Sequence, residues 1–423
     1  AFTQLNQWNI PNTPTYTHAY IHFLRFIDGK FFAGTDGGIY VSTNEGNLFT
    51  DLTKTLAMSQ FYRISVSPTK LDVVAGGLQD NGGYGFDGKD WRNYHGGDGM
   101  EGLVDPNNSN IYYGFTQYGG SLNITNDQGK SGSSSINAPS SETGANDSGG
   151  KWITPLSINK EGELFAGFSK LYKLVNGSWS RVHSSPFANF GGDLDRVVID
   201  PNNSDIMFFS RGSSLFKSTD RGVTFSPITF SQGSISSIEI SKNSSDIAWI
   251  VSQNGVFKSS NFTDASPTFT DITLNLPSER KLVITHHLRS GKNTVYLGTN
   301  LGVYFINDDL TEWETFDTNL PNVQIRDLDI NEEDSKLYAG TYGRGLFSTD
   351  IPTVLPQSDV RLLSINNISN IVNCGVDVNP EITIKNQGQL ALTAAIITYN
   401  INGGTNSVFN WTGNLASEKN VSV

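Results

Sequence analysis

Apolar residues in this chain come in short runs separated by glycine, serine, asparagine and aspartate. The segment Ser204–Ile228 displays the pattern best. Ile206–Ser210 is a compact apolar run, Arg211–Ser214 a polar turn containing glycine, Leu215–Ser218 a run of alternating character, and Phe225–Ile228 opens another strand. Runs of this length and alternation predict strands of a meander and not helices. The apolar run recurs eight times: Phe31–Thr35, Val73–Gly77, Ile111–Gly114, Leu164–Gly167, Met207–Ser210, Trp249–Ser252, Val295–Gly298 and Leu337–Gly340. Successive copies are separated by 42, 38, 53, 43, 42, 46 and 42 residues. The long step contains Lys130–Gly150, whose serine, glycine and asparagine content predicts a mobile loop.

A period of 40–45 residues is the length of one four-stranded propeller blade. Most copies are followed by a further strand signal, among them Gly38–Ser42, Gly120–Thr125, Gly255–Ser259 and Gly345–Ser348. The expected fold is therefore all-β: a closed β-propeller over residues 1–351, with eight blades preferred over seven. Phe2-Thr-Gln-Leu5 matches Phe49-Thr-Asp-Leu52 and Phe269-Thr-Asp-Ile272, yet no earlier strands precede it, so 2–10 is expected to supply the outer strand of the last blade. Such closure would remove exposed sheet edges. Pro352 and Pro356 mark a linker over 352–357. Residues 358–423 then read as part of an Ig-like sandwich, with strands at Ser358–Ser364, Glu381–Asn386 and Thr393–Tyr399 and more chain expected downstream.

Composition narrows the function classes. The formal net charge of −12 disfavours nucleic acid or an anionic membrane as partner. The single cysteine, Cys374, excludes an internal disulfide. No apolar run approaches the length of a membrane span. Ala1 follows no charged and apolar leader, so any signal peptide is expected to be absent or already removed.

The octet Ser218-Thr-Asp220-Arg-Gly222-Val-Thr-Phe225 has the form S-x-D-x-G-x-T-F. Asp220 can bond the backbone of its own turn, Gly222 can adopt positive φ, and Phe225 can fill the space between sheets. The octet resembles the Asp-box of sialidase-type (BNR) and sortilin-like propellers. Asn44-Glu-Gly46 and Asp127-Gln-Gly129 are weaker copies. With Gly34–Thr43, Gln60–Pro68, Gly77–Gly82 and Gly96–Glu101, the chain is similar to large propeller proteins secreted by Bacteroidota-type bacteria, many of which end in a type IX sorting domain. Asn379–Gly388 resembles a CARDB-type Ig-like module. These resemblances imply a secreted or cell-surface protein, with the type IX machinery and a glycan or surface protein as partners.

In such a ring, the loops between second and third strands and those between blades share one face around the channel. That rule gathers Asp36, Gln79, Asn81, Tyr94, Glu101, Gln117, Tyr118 and Arg344 as candidate ligand-binding residues. Asp80 and Asp98 are the candidate catalytic carboxylates of a glycosidase, with Asp36 or Glu101 as substitutes. Tyr94, Tyr118 and Trp91 are candidates for stacking on sugar rings. Aspartate beside glycine is equally an ordinary turn residue, so an extracellular binding or adhesion role is preferred and glycoside hydrolysis is the alternative. A sialidase needs three converging arginines, and only Arg344 is well placed. No cofactor is expected. His18 and His22 fall on one face of a strand without a third ligand, and His286-His287 point to opposite faces. Asp105–Ser109 and Asp200–Ser204 offer oxygens suited to structural calcium, although Asp-Pro-x-Asn is a self-sufficient turn and that reading is preferred.

Overall fold

The computed structural model describes residues 4–11, 13–142, 149–182, 192–367, 379–400 and 404–423. The chain divides into two compact units, Ala1–Ile351 and Pro352–Val423. In the larger unit eight antiparallel sheets follow one another, the first seven four-stranded and the eighth three-stranded. Each recurrent apolar run forms the second strand of a sheet, from Lys30–Thr35 in the first to Lys336–Thr341 in the eighth. The runs are apolar throughout because these strands are covered on both faces. Val73–Leu78, Leu164–Gly167, Ala248–Ser252 and Val295–Thr299 are buried along their whole length.

The second to eighth sheets stand side by side, held through their first strands: Phe61–Val66, Gly99–Val104, Leu156–Ile158, Arg196–Ile199, Ile235–Ile240, Lys281–His286 and Ile325–Asn331. A polar side chain of one first strand repeatedly caps a backbone group of the next. Ser65 Oγ accepts from Val104 N at 3.3 Å, Ser157 Oγ donates to Val197 O at 2.5 Å, and Glu239 Oε1 accepts from His286 N at 2.9 Å. The eighth sheet lies against the second in the same manner. Asp327 Oδ2 accepts from Ile64 N at 2.9 Å and Asp329 Oδ2 from Val66 N at 2.8 Å. Asn331 Nδ2 donates to Ser67 O and Lys70 O, both at 3.1 Å, and Gln60 bridges to Tyr342.

That junction corrects the expected role of residues 2–10. Residues 4–10 form no strand, and Leu346–Asp350 pairs with Lys336–Thr341 alone among the described residues. Positions 1–3, with Phe2, lie outside the described residues. The first sheet, Ile21–Asp51, meets the second at a corner, where His18 Nε2 lies 2.9 Å from Asp80 O. All seven residues of its first strand, Ile21–Ile27, are exposed. A second correction concerns Lys130–Gly150. Ser134–Asn137 within it is the fourth strand of the third sheet, and 143–148 lie outside the described residues.

The Ser218–Phe225 octet folds into a turn that satisfies itself. Ser218 Oγ donates to Asp220 Oδ1 and accepts from Gly222 N, both at 2.8 Å, while Asp220 Oδ1 accepts from Thr224 N at 2.8 Å. Thr224 Oγ1 donates to Asp220 Oδ2 at 2.6 Å. Gly222 has φ +82°, and a Cβ there would strike Leu171. Phe225 packs edge-on against Phe209 and Phe216. The same wiring recurs at Ser42/Asn44/Gly46 and Thr125/Asp127/Gly129. Asp220→Ala is expected to cost about 1–2 kcal/mol, because two hydroxyl donors and one N–H lose their acceptor. Urea unfolding checks this, with Asp220→Asn, which keeps the Oδ1 acceptor as Asn44 does in its own turn, avoiding most of the loss.

In the smaller unit Val360–Asn366, Glu381–Asn386 and Asn420–Ser422 form one sheet, and Leu392–Tyr399 pairs with Ser407–Leu415 in another. Asn386 Nδ2 ties them by donating to Leu390 O and Leu415 O, both at 2.8 Å. Cys374 lies outside the described residues.

Candidate functional site

The first strands of the seven contiguous sheets turn alternate residues into sheet packing and towards a common axis, as the strand period of two dictates. In Ile325–Asn331, Ile325, Leu328 and Ile330 are buried among apolar neighbours, while Arg326, Asp327 and Asp329 are not. Side chains of different sheets consequently meet. Arg63 lies 3.6 Å from Glu101, and Glu101 also feels Asp327 and Arg196. Burial pushes Glu101 up to about 7 against the pull of Arg63. Burial pulls Arg196 down to about 10, and neighbouring Arg63 acts in the same direction. Deeper along the axis burial raises Glu239 to about 7 and Asp329 to about 6, with Lys242 opposing both.

At one end of this lining the strand starts enclose a cavity of about 900 Å³. Its walls come from the starts of first strands, from the links before them and from the turns after second strands, which contribute Gly212, Ser252 and Gln253. Six cations line it, Arg63, Lys151, Arg196, Arg280, Lys281 and Arg326, against two acids, Asp195 and Glu279. Lys151 pairs with Asp195 at 3.4 Å. Arg280 and Arg326 have no carboxylate partner among the described residues. The Arg326 guanidinium instead lies over the rings of Tyr62 and Tyr342, 5.4 and 5.2 Å from their centroids. Its Nε is buried without a hydrogen bond. Trp152, 39% exposed, forms an aromatic wall with Tyr118 and Tyr62 packed edge-on against it.

The residues singled out from the sequence divide between three places. Asp36, Asp80 and Asp98 come together where the first sheet meets the second. Asp98 Oδ1 accepts from Asp80 N at 2.7 Å, and the carboxyls of Asp80 and Asp36 are within hydrogen-bonding reach. Burial, then Asp98 and Asp36, raise the Asp80 carboxyl. Asp80 sits at φ +58°, in the left-handed region. His22 Nε2 is 2.5 Å from Asp36 Oδ1, and Gln117 Oε1 accepts from Asp98 N. Beside this cluster is a second hollow of about 400 Å³ lined by Trp8, His18 and Tyr20. No group of three or more metal-ligating side chains occurs among the described residues.

Glu101 and Tyr118 belong to the axis and mouth. Gln79 accepts from Tyr62 and Tyr342, so it braces the mouth aromatics, and Asn81 bonds back to Gln79 O. Arg344 is exposed and outside the cavity lining. Tyr94 does not reach the face: it is 3% exposed, its hydroxyl donates to Tyr113 O, and its ring packs against His95 and Tyr112. Trp91 packs on Phe61 and Phe86. His286 and His287 are both fully buried. Asp105 and Asp200 accept from the backbone of their own turns at Asn107, Asn108 and Asn202.

Sequence reasoning missed the cations. It searched glycine-rich loops for acids and credited Arg344 alone among the arginines. The usable signal was a basic residue near the start of four first strands: Arg63, Arg196, Lys281 and Arg326.

No protein-family model matches the chain, and no curated protein matches it in sequence. Solved structures do match in shape. An ancestral GH74 enzyme aligns over 81% of this chain and 50% of its own, with 15% identity and a TM-score of 0.54. This chain thus spans half the length of that enzyme. YCF48 from Cyanidioschyzon merolae aligns over 69% of this chain and 95% of its own, with 13% identity and a TM-score of 0.53. Together with the succession of antiparallel sheets, these likenesses give the larger unit the β-propeller fold.

Proposed function

We propose that the chain is a non-catalytic binding module, a seven-bladed propeller that presents the mouth of its axis to a glycan. The mouth cavity carries this reading. It has the volume of a ligand site, its wall is rich in serine, and Trp152 offers a flat apolar face beside hydrogen-bonding groups. The contacts between eighth and second sheets support a ring of seven. A secreted or cell-surface setting, the Asp-box and CARDB assignments and type IX sorting are parts of the same proposal and rest on the sequence resemblances.

A second reading, glycoside hydrolysis, draws on the ancestral GH74 enzyme among the structural neighbours and on the raised carboxyl of Asp80. Glycosidase acids stand about 5–9.5 Å apart with the sugar between them. Asp98, the partner carboxyl of Asp80 in this reading, is instead taken up by the Asp80 backbone N–H at 2.7 Å, as in an ordinary turn. Both readings are tested by binding and product-release assays on a polysaccharide panel. The expected outcome is binding that Trp152→Ala abolishes, without turnover, and unaltered in Asp80→Asn and Asp98→Asn. Reducing-sugar release lost in either aspartate variant would replace the binding reading with the hydrolase.

A further inference from the structure

Resting on the mouth as the binding site, we infer that its ligand is an anionic glycan, with an acidic group held between Arg280 and Arg326 and a sugar ring against Trp152. The distribution of charge is the first argument. A chain of net charge −12 gathers six cations and two acids around one cavity. Concentrating like charge in a concave, partly desolvated site is costly unless a ligand neutralises it, and such a site focuses its field on anions.

The bonding of those cations is the second argument. Arg63 is engaged by Glu101 and by the carbonyls of Tyr62 and Arg326, Arg196 by Ser236 O, Lys151 by Asp195 and Lys281 by Pro277 O. Arg280 and Arg326 remain without an anion. Arg326 is held in place by two tyrosine rings, yet its Nε lacks an acceptor. A guanidinium fixed by stacking and left with free N–H groups is prepared for a planar carboxylate or a sulfate. Burial, with Arg63 and Arg280 nearby, weakens the hold of Arg326 on its proton, and an anion beside it would act in the opposite direction.

The rest of the wall favours a glycan over an acidic peptide. Ser234, Ser236, Ser252, Gln253 and Ser278 offer hydroxyl and amide partners for sugar hydroxyls. Peptide anchors need a desolvated apolar pocket, whereas of the apolar side chains in this lining Ile235 and Leu282 are buried in the core and Trp152 is the exposed one.

The test is calorimetric titration of the whole chain with oligogalacturonate, dextran sulfate, a neutral cello-oligosaccharide and poly-glutamate. At least one acidic glycan should bind ten-fold or more tightly than the neutral one, and its affinity should fall several-fold between low and physiological salt. Preference between oligogalacturonate and dextran sulfate identifies carboxylate or sulfate as the recognised group. Arg280→Gln, at an exposed position, should weaken the acidic glycan five- to ten-fold and leave the neutral one unchanged. Arg326→Gln should weaken it further, while Arg344→Gln outside the cavity should have no effect. Equal affinity for neutral and acidic glycans, insensitive to Arg280→Gln, overturns this inference and leaves the binding module standing. Preference for poly-glutamate overturns it in favour of an acidic protein. Failure of every glycan to bind removes the proposed function as well.

Discussion

Replacing Asp327 and Asp329 together by alanine is expected to lower the stability of the larger unit by about 4 kcal/mol at pH 5, two buried N–H groups at about 2 kcal/mol each. These carboxyls accept from Ile64 N and Val66 N, the hydrogen bonds that fasten the eighth sheet to the second. Ile64 and Val66 are 5% and 6% exposed, so water cannot readily take over as acceptor. The double asparagine variant keeps an acceptor at both places and should unfold near the wild-type midpoint. Chemical denaturation of the three proteins side by side is the check. Equal losses for alanine and asparagine would exclude these two hydrogen bonds as the source of the stabilisation. At pH 8 the alanine deficit should narrow, because burial then penalises the ionised wild-type carboxylates.

Glu101→Gln is expected to act in the opposite direction. Burial holds the Glu101 carboxyl near 7 in the folded protein, above its ordinary value of 4.5. Between those values the folded chain retains a proton that the unfolded chain has lost. Wild-type stability is therefore complete below about pH 4.5, declines as pH rises, and reaches its floor above about 7. Glutamine is neutral throughout. The variant should match the wild type at pH 4 and exceed it at pH 8 by on the order of 3 kcal/mol. Unfolding midpoints across that range decide the point, and a constant difference would exclude Glu101 as the titrating group.

The eight second strands were legible because full burial demands an uninterrupted apolar run, and the turns because Ser218, Asp220 and Gly222 each have a local reason to be there. The junction of the eighth sheet with the second was not legible. It depends on Asp327 and Asp329 meeting a strand more than 250 residues away, and no local pattern encodes such a meeting. The matching motifs at Phe2 and Phe49 suggested a strand exchange, whereas the eighth sheet reaches the second by side-chain caps. Of the grouped acids Asp36, Asp80, Asp98 and Glu101, the first three come together at a corner, because glycine-flanked aspartates mark neighbouring turns, whereas Glu101 lies in a strand beside Arg63. The cationic mouth was not found, because Arg63, Arg196, Lys281 and Arg326 lie inside strands, where a lone basic residue resembles a solvated one.

The first sheet has a practical consequence for handling the protein. Ile21, Phe23, Leu24, Phe26 and Ile27 lie bare to water on a strand whose outer edge is unpaired among the described residues. Bare apolar surface joined to open backbone donors and acceptors promotes sheet-to-sheet sticking. Preparations carrying it should cloud on concentration and light up hydrophobic dyes, whereas a chain trimmed to residues 57–351 should remain clear and dark.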